Sequence, residues 1–302
     1  MIKKIFTITA LLSFTLNVQA HIKVTPGKCF QFNMLGNGLE ITHYDTSCSK
    51  DVVIPREASG REVVSIGESA FSRQELTSIL IPESIKVIKS WAFASNKLKT
   101  VEIPDSVTKI GEEAFNRNNL ESVKIGVGLT EIEYGTFARN RLTSIDIPGN
   151  VKVIGWEAFT DNMLGTLVLP YGVTNIERDA FSYNKLTYVY LPDSVRSIKH
   201  QAFLKNNLIT INLPDSLTYL GGSAFAYNDL VSIVIPVGIT KIRRATFLSN
   251  KLRSIVIPDS VTSIAERAFS YNYLRTVEIP ANTSINEQGF DSFDDFVKII
   301  RR

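Results

Sequence analysis

The stretch Leu98-Lys99-Thr100-Val101-Glu102-Ile103-Pro104-Asp105-Ser106-Val107-Thr108-Lys109-Ile110-Gly111-Glu112-Glu113-Ala114-Phe115-Asn116-Arg117-Asn118-Asn119 decides the fold, because its pattern returns every 22 residues through most of the 302-residue chain. Phe115 has counterparts at Phe71, Phe93, Phe137, Phe159, Phe181, Phe203, Phe225, Phe247 and Phe269. Pro104 keeps the same step at Pro82, Pro148, Pro170, Pro192, Pro214, Pro236, Pro258 and Pro280, with Gly126 as the one replacement. Asn118 recurs from Asn96 to Asn272, and Leu98 from Leu76 to Leu274. Self-similarity at one short period marks a stacked array of coils and argues against two separate globules. Ten such units run from Leu76 to Asp295. The last lacks one residue before Phe290 and gains one after it, so Phe296 takes the Leu column and Ile299 the next apolar column.

Each column has a physical reason. The alternation at the end of Leu98-x-x-Val101-x-Ile103 suits a short strand with one buried face. Successive coils bring these strands side by side, which predicts a parallel sheet. Pro104 stops the strand because it lacks a backbone donor. Val107 and Ile110 bury the return path, and Ala114-Phe115 sets a small residue beside a large one to fill the layer between coils. Asn118 is suited to satisfy backbone groups of the tight turn before the next strand, repeated as a ladder. Burying each Phe contributes roughly 2–3 kcal/mol. A single coil cannot bury its own face, so stability comes from the stack.

The ends depart from the repeat, as the ends of a stack must. Phe30–Leu35 and Leu39–Tyr44 flank Gly36-Asn37-Gly38, a tight-turn signal between alternating segments. They predict a β-hairpin cap. Val52-x-Ile54-Pro55, then a longer loop, then Val63, Ile66, Gly67, Ala70 and Phe71 make an atypical first coil. At the other end, 296–302 falls in strand register; Phe293, Phe296, Val297 and Ile300 would also suit a helix face, and the register favours the strand.

Residues 1–20 read as a secretory leader: Lys3 and Lys4, an apolar stretch from Ile5 to Leu16, and a small-x-small end at Val18-Gln19-Ala20. The mature chain is then exported, to the medium, the periplasm or the cell surface, with no membrane span. In that oxidising setting Cys29 and Cys48 are expected to pair, closing a loop that stabilises the fold by roughly 3 kcal/mol. The formal net charge of +3 includes both leader lysines, so no strongly basic face points to nucleic acid.

The run Leu-x-x-Val-x-Ile-Pro-x-Ser-Val-x-x-Ile-Gly-x-x-Ala-Phe-x-x-Asn-x-Leu resembles the BspA-type class of bacterial leucine-rich repeats, over roughly residues 30–300. The resemblance implies an α/β-type solenoid dominated by short parallel β-strands, a right-handed coil of ten repeats behind a β-hairpin cap. With the leader and the repeat register, the chain is expected to divide into a leader (1–20), a cap with an atypical first repeat (21–75), the repeats (76–295) and a cap strand (296–302). Members resemble surface or secreted adhesins. The resemblance implies binding to protein or extracellular matrix, and it carries over no catalytic residue.

The ligand face is sought where the repeat leaves residues free. The outward strand positions lie two and four after each Leu. The first column is mostly small hydroxyl residues, with Tyr188 as the exception. The second reads Leu80, Glu102, Lys124, Asp146, Val168, Tyr190, Asn212, Val234, Val256 and Glu278. Charge alternates in its first half; its second half is largely apolar. Val168, Tyr188, Tyr190, Asn212, Val234 and Val256, with Ile209 and Val231 at the margin, are therefore the candidate ligand-binding residues. Plain β propensity is the alternative reading of the same residues.

Chemistry is sparse. His21, His43 and His200 have no metal-ligand spacing with the cysteines, although a terminal His21 with His43 would suit copper. There is no phosphate loop, nucleophile elbow or Cys–His pair. Asp105, Asp193, Asp215 and Asp259 support the turns after Pro, and Trp91 and Trp156 are expected as edge packing or surface anchors. No cofactor, no metal and no enzymatic activity are expected. Two further readings stand beside protein recognition: a carbohydrate-binding protein in which Tyr188 and Tyr190 stack on sugar rings, and a structural solenoid that self-associates through its ends.

Overall fold

The structure, a computed structural model, describes residues 25–285 and 292–302. The expected leader at 1–20, His21 and Phe290 lie outside the described residues. The chain is a solenoid of stacked coils with almost no helix: among the described residues the single helical element is a short 3-10 turn, Gly27–Cys29. No described helix is long and apolar enough to cross a membrane.

Neighbouring coils are tied by three sets of backbone hydrogen bonds. A first ladder is the expected one, in parallel pairs Asp51–Val53 with Ser78–Leu80, Thr100–Glu102 with Ser122–Lys124, Thr166–Val168 with Tyr188–Tyr190, and Thr276–Ile279 with Lys298–Arg301. It is not one unbroken sheet. No strand forms at Asp146 or Asn212, and Val234, Val256 and Glu278 are joined by isolated bridges. Asp and Asn are poor strand residues, and they stand at two of the interruptions; a third separates Ser78–Leu80 from Thr100–Glu102.

The longer ladder lies on the return path, where the apolar columns predicted burial but no strand. Glu131–Ile132, Val153–Ile154, Asn175–Ile176, Ser197–Ile198 and Tyr219–Leu220 pair in parallel without a gap. Val87–Ile88 and Lys109–Ile110 continue a sheet from Arg61–Ile66, and Lys241–Ile242, Ser263–Ile264 and Ser284–Ile285 form another. Apart from Ser197, which is buried, each pair turns its Ile or Leu inward and its first residue outward, the period-two rule of a strand at its shortest.

The third set runs through the Ala-Phe turn. The N–H groups of Glu113, Phe115 and Arg117 donate to the carbonyls of Tyr134, Thr136 and Ala138 in the next coil. Glu113 and Arg117 adopt left-handed φ of 52° and 55°, and so do their counterparts in most coils, Trp91, Tyr183 and Tyr227 among them. This conformation costs a non-glycine residue about 1–2 kcal/mol. The alternation aims these N–H groups toward the next coil, where each finds an acceptor, and that offsets the cost.

The interior follows the columns. Rings from Phe71 to Phe269 are fully buried and stack near-parallel at centroid spacings of 5.1 Å for Phe93–Phe115 and 5.4 Å for Phe159–Phe181. The Asn ladder has the role expected of it. Asn118 Nδ2 donates to the carbonyls of Phe93 and Phe115, at 2.9 and 3.2 Å, and its Oδ1 accepts the Leu98 N–H at 3.2 Å. At Gly126, which stands in the Pro column, the backbone lies so close to the Pro104 carbonyl that a Cβ would collide with it.

At the first end, Phe30–Leu35 and Gly38–Tyr44 form the antiparallel hairpin, and Gly38–Tyr44 pairs in parallel with Arg61–Ile66. Phe30 and Tyr44 close the ring stack over Phe71, and Cys29 is bonded to Cys48 across a Cα separation of 6.0 Å. At the far end, Ile299 lies opposite Val277 as the register requires, in a strand, Lys298–Arg301. Phe296 does not fill the Leu column: it is 68% exposed. Phe293 is the ring that caps the stack, 5.1 Å from Phe269. The register of the last coil serves the strand, while the ring that plugs the interior comes from the inserted turn.

Candidate ligand-binding face

All the sequence-derived candidates project from the outward side of the first ladder. Tyr188 pairs with Thr166 and Tyr190 with Val168 in parallel register. The two tyrosines leave one strand two residues apart, on the same side, and each is about half exposed. Val168, Val234 and Val256 are more open, at 61%, 80% and 74%. Val234 bridges to Val256 one coil on, so their side chains are neighbours. Asn212 is exposed between the tyrosine and valine groups, at the interruption of the ladder. Ile209 and Val231 extend the face at the strand start.

The two halves of this face differ in how they are satisfied. In the first half, Lys124 meets Glu102 from the adjacent coil in an ion pair, and that hydrogen bond with its charge holds the lysine above its usual pKa. Charge is thus matched within the chain. Among the described residues nothing comparable covers the second half: large apolar side chains stand exposed next to one another, an arrangement that monomeric surfaces keep small unless it is used.

Sequence reasoning missed two extensions. Tyr171 and Val237, both exposed, flank the face after the strand. Their signal was present, since they occupy the position held by Asp105, Asp193, Asp215 and Asp259 in other coils. On the turn side, Lys205 lies over the rings of Tyr183 and Tyr227, at 4.9 and 5.9 Å. That column carries arginines in early coils and aromatics in later ones, so the change in character along the solenoid is not confined to one side.

A groove of about 810 Å³ lies elsewhere, between the disulfide loop and the first strands, lined by Cys29, Cys48, Asp51, Val53 and Leu80 among others. None of the candidate residues lines it. The Asp51 carboxylate at its rim accepts hydrogen bonds from Thr77 and Ser78, which hold its pKa below the usual value. No cluster of three or more metal-ligating side chains occurs among the described residues. Trp156 is an exposed anchor, 5.3 Å from Tyr134 and covered on one side by the Arg178 guanidinium at 5.1 Å.

Residues 64–187 and 174–296 match the family model described as the BspA type leucine rich repeat region, with six copies. Solved structures include similar chains. A leucine-rich repeat protein from Bacteroides ovatus is 21% identical, covering 90% of this chain and 98% of its own, with a TM-score of 0.48. A leucine rich cell surface protein from Faecalibacterium prausnitzii is 19% identical over 90% and 93%, with a TM-score of 0.44. The pneumococcal vaccine antigen PcpA is 20% identical over 83% and 67%, with a TM-score of 0.53, a likeness of fold. No curated protein matches the chain.

Proposed function

The chain belongs to the BspA-type leucine-rich repeat family, and from that premise we propose that it is a secreted or surface-exposed recognition protein which binds a protein or extracellular-matrix partner through the outer side of its first ladder. The observation that carries this reading is the unmatched apolar group at Val168, Tyr188, Tyr190, Val234 and Val256, on a scaffold whose earlier coils neutralise the same face internally. Aromatic residues on a rigid surface make effective contacts because little side-chain entropy is lost when they bind. Asn212 adds a donor and an acceptor amid the apolar group.

The same proposal sets the domain division: a removed leader at 1–20, a cap at 21–75, ten repeats at 76–295 and a closing strand at 296–302. The protein acts by binding, without catalysis and without a cofactor. Tyr188 and Tyr190, side by side on one strand, favour one second reading, in which sugar rings stack on them. Capture from a mixture of extracellular proteins by the immobilised mature chain, run beside a glycan array, separates the two. The first reading expects a protein retained on the column and no glycan bound. Retention of neither, with the chain folded, removes both.

A further inference from the structure

The second ladder carries a charge distribution that the repeat does not require. On its outward side and the turn that follows, residues 109–113, 131–135 and 153–157 hold Glu112, Glu113, Glu131, Glu133 and Glu157, with Lys109 as the one cation. Residues 197–201, 219–223 and 241–245 hold Lys199, His200, Lys241, Arg243 and Arg244, with no carboxylate. One coil, at 175–179, separates three acidic coils from three without a carboxylate, of which 197–201 and 241–245 carry the cations and 219–223 is uncharged. All these charged side chains are wholly or partly exposed.

The acidic half is unrelieved. None of its five carboxylates stands in an ion pair among the described residues. Burial and the adjacent Glu131 together push the Glu133 carboxyl above its usual pKa. The basic half is held in place: Lys199 and Arg243 lie over the Tyr219 ring, at 4.4 and 4.0 Å. Shape follows charge. Tyr134 and Trp156 stand up from the acidic half. The basic half has Gly221 and Gly222 at its centre and a hollow of about 580 Å³ lined by His200, Tyr219, Arg243 and Arg244.

We propose that this lateral face pairs with the same face of a second copy of the chain, antiparallel, about a two-fold axis through the coil at 175–179. A two-fold contact must be self-complementary, with each patch meeting its partner twice. The spacing provides this. Coil 131–135 lies on 219–223, which sets Tyr134 against the glycine hollow. Coil 109–113 then lies on 241–245, and 153–157 on 197–201, so carboxylates face cations in these two layers, while Glu131 and Glu133 meet the uncharged coil 219–223, whose Tyr219 ring is flanked by Lys199 and Arg243. The backbone of the ladder is already paired within the chain, so the contact is made by side chains and is sensitive to salt. This pairing uses a different side of the solenoid from the proposed ligand face and stands or falls separately from it.

Sedimentation of the mature chain tests it. At low ionic strength the chain sediments as a dimer, and about 1 M salt shifts it toward monomer. Glu112→Lys with Glu113→Lys, and separately Arg243→Glu with Arg244→Glu, which face one another in the pairing, each weaken self-association by about tenfold or more. An equimolar mixture of the two variants associates again as a one-to-one dimer, because both contacts then pair opposite charges; circular dichroism checks that each variant is folded. A monomeric wild type at low salt, a variant that dimerises alone like the wild type, or a mixture that stays monomeric overturns the proposal.

Discussion

The Asp294 carboxylate accepts the backbone N–H of Tyr271, with Oδ1 2.8 Å from the nitrogen, and its other oxygen lies 3.2 Å from the N–H of Asn272. In every earlier coil the N–H at the Tyr271 position is taken by a carbonyl of the next coil, as Tyr227 is by Leu248. The turn ladder sends all its donors one way, so the last coil would leave them open. Asp294 ends the series as a capping side chain ends a helix.

Asp294→Ala therefore lowers stability by about 1 kcal/mol, read from the denaturant midpoint, while Asp294→Asn retains most of it by keeping an acceptor oxygen. Asp295→Ala, at the exposed neighbouring position, leaves the midpoint unchanged.

The Asn ladder makes a stronger claim. Asn162 Nδ2 serves the carbonyls of Phe137 and Phe159, at 3.0 and 3.2 Å, and its Oδ1 accepts the Leu142 N–H at 3.0 Å. Asn162→Ala strands buried backbone groups of two coils and costs about 2–4 kcal/mol. Asn162→Asp keeps the acceptor, loses both donated bonds and stays well below wild type. A loss of under about 0.5 kcal/mol in the alanine variant would be that of an ordinary surface position.

Glu133 gives the pH dependence. Burial and Glu131 raise its folded pKa above the ordinary glutamate value. Between the unfolded and folded values the native state binds more protons, so stability falls as pH rises through that window. Glu133→Gln removes the penalty. Measured at high dilution, the variant is more stable than wild type at pH 7 and indistinguishable from it near pH 3, where the carboxyl is protonated in both states. An equal gain at both pH values would assign the effect to packing.

The features legible in the sequence are those in which one residue type has one physical role at one spacing. Phe115 and Asn118 announce a ring stack and a buried bonding ladder because few other residues fill those places. The left-handed turns were not legible. Such positions normally favour Gly, Asn or Asp, yet here they carry Trp91, Tyr183 and Arg117, selected by inter-coil bonding and not by local preference. The second ladder stayed hidden because its strands are two residues long and leave almost no alternation to read. Phe293 was not legible as the closing ring, because it reaches Phe269 through a turn outside the 22-residue register. The candidate face was legible in its residues, and what the sequence lacked was the interruption of its ladder at Asp146 and Asn212.

The most direct measurement is a binding comparison between the wild type and a Tyr188→Ser, Tyr190→Ser variant, by surface plasmon resonance against a partner captured from extracellular proteins. Both side chains are exposed, so the variant keeps its fold and its denaturant midpoint within about 0.5 kcal/mol. The account predicts a loss of affinity of about tenfold or more, as for central aromatic contacts, while Glu102→Ser with Lys124→Ser on the same face leaves binding unchanged. Equal binding by the tyrosine variant and wild type would contradict it.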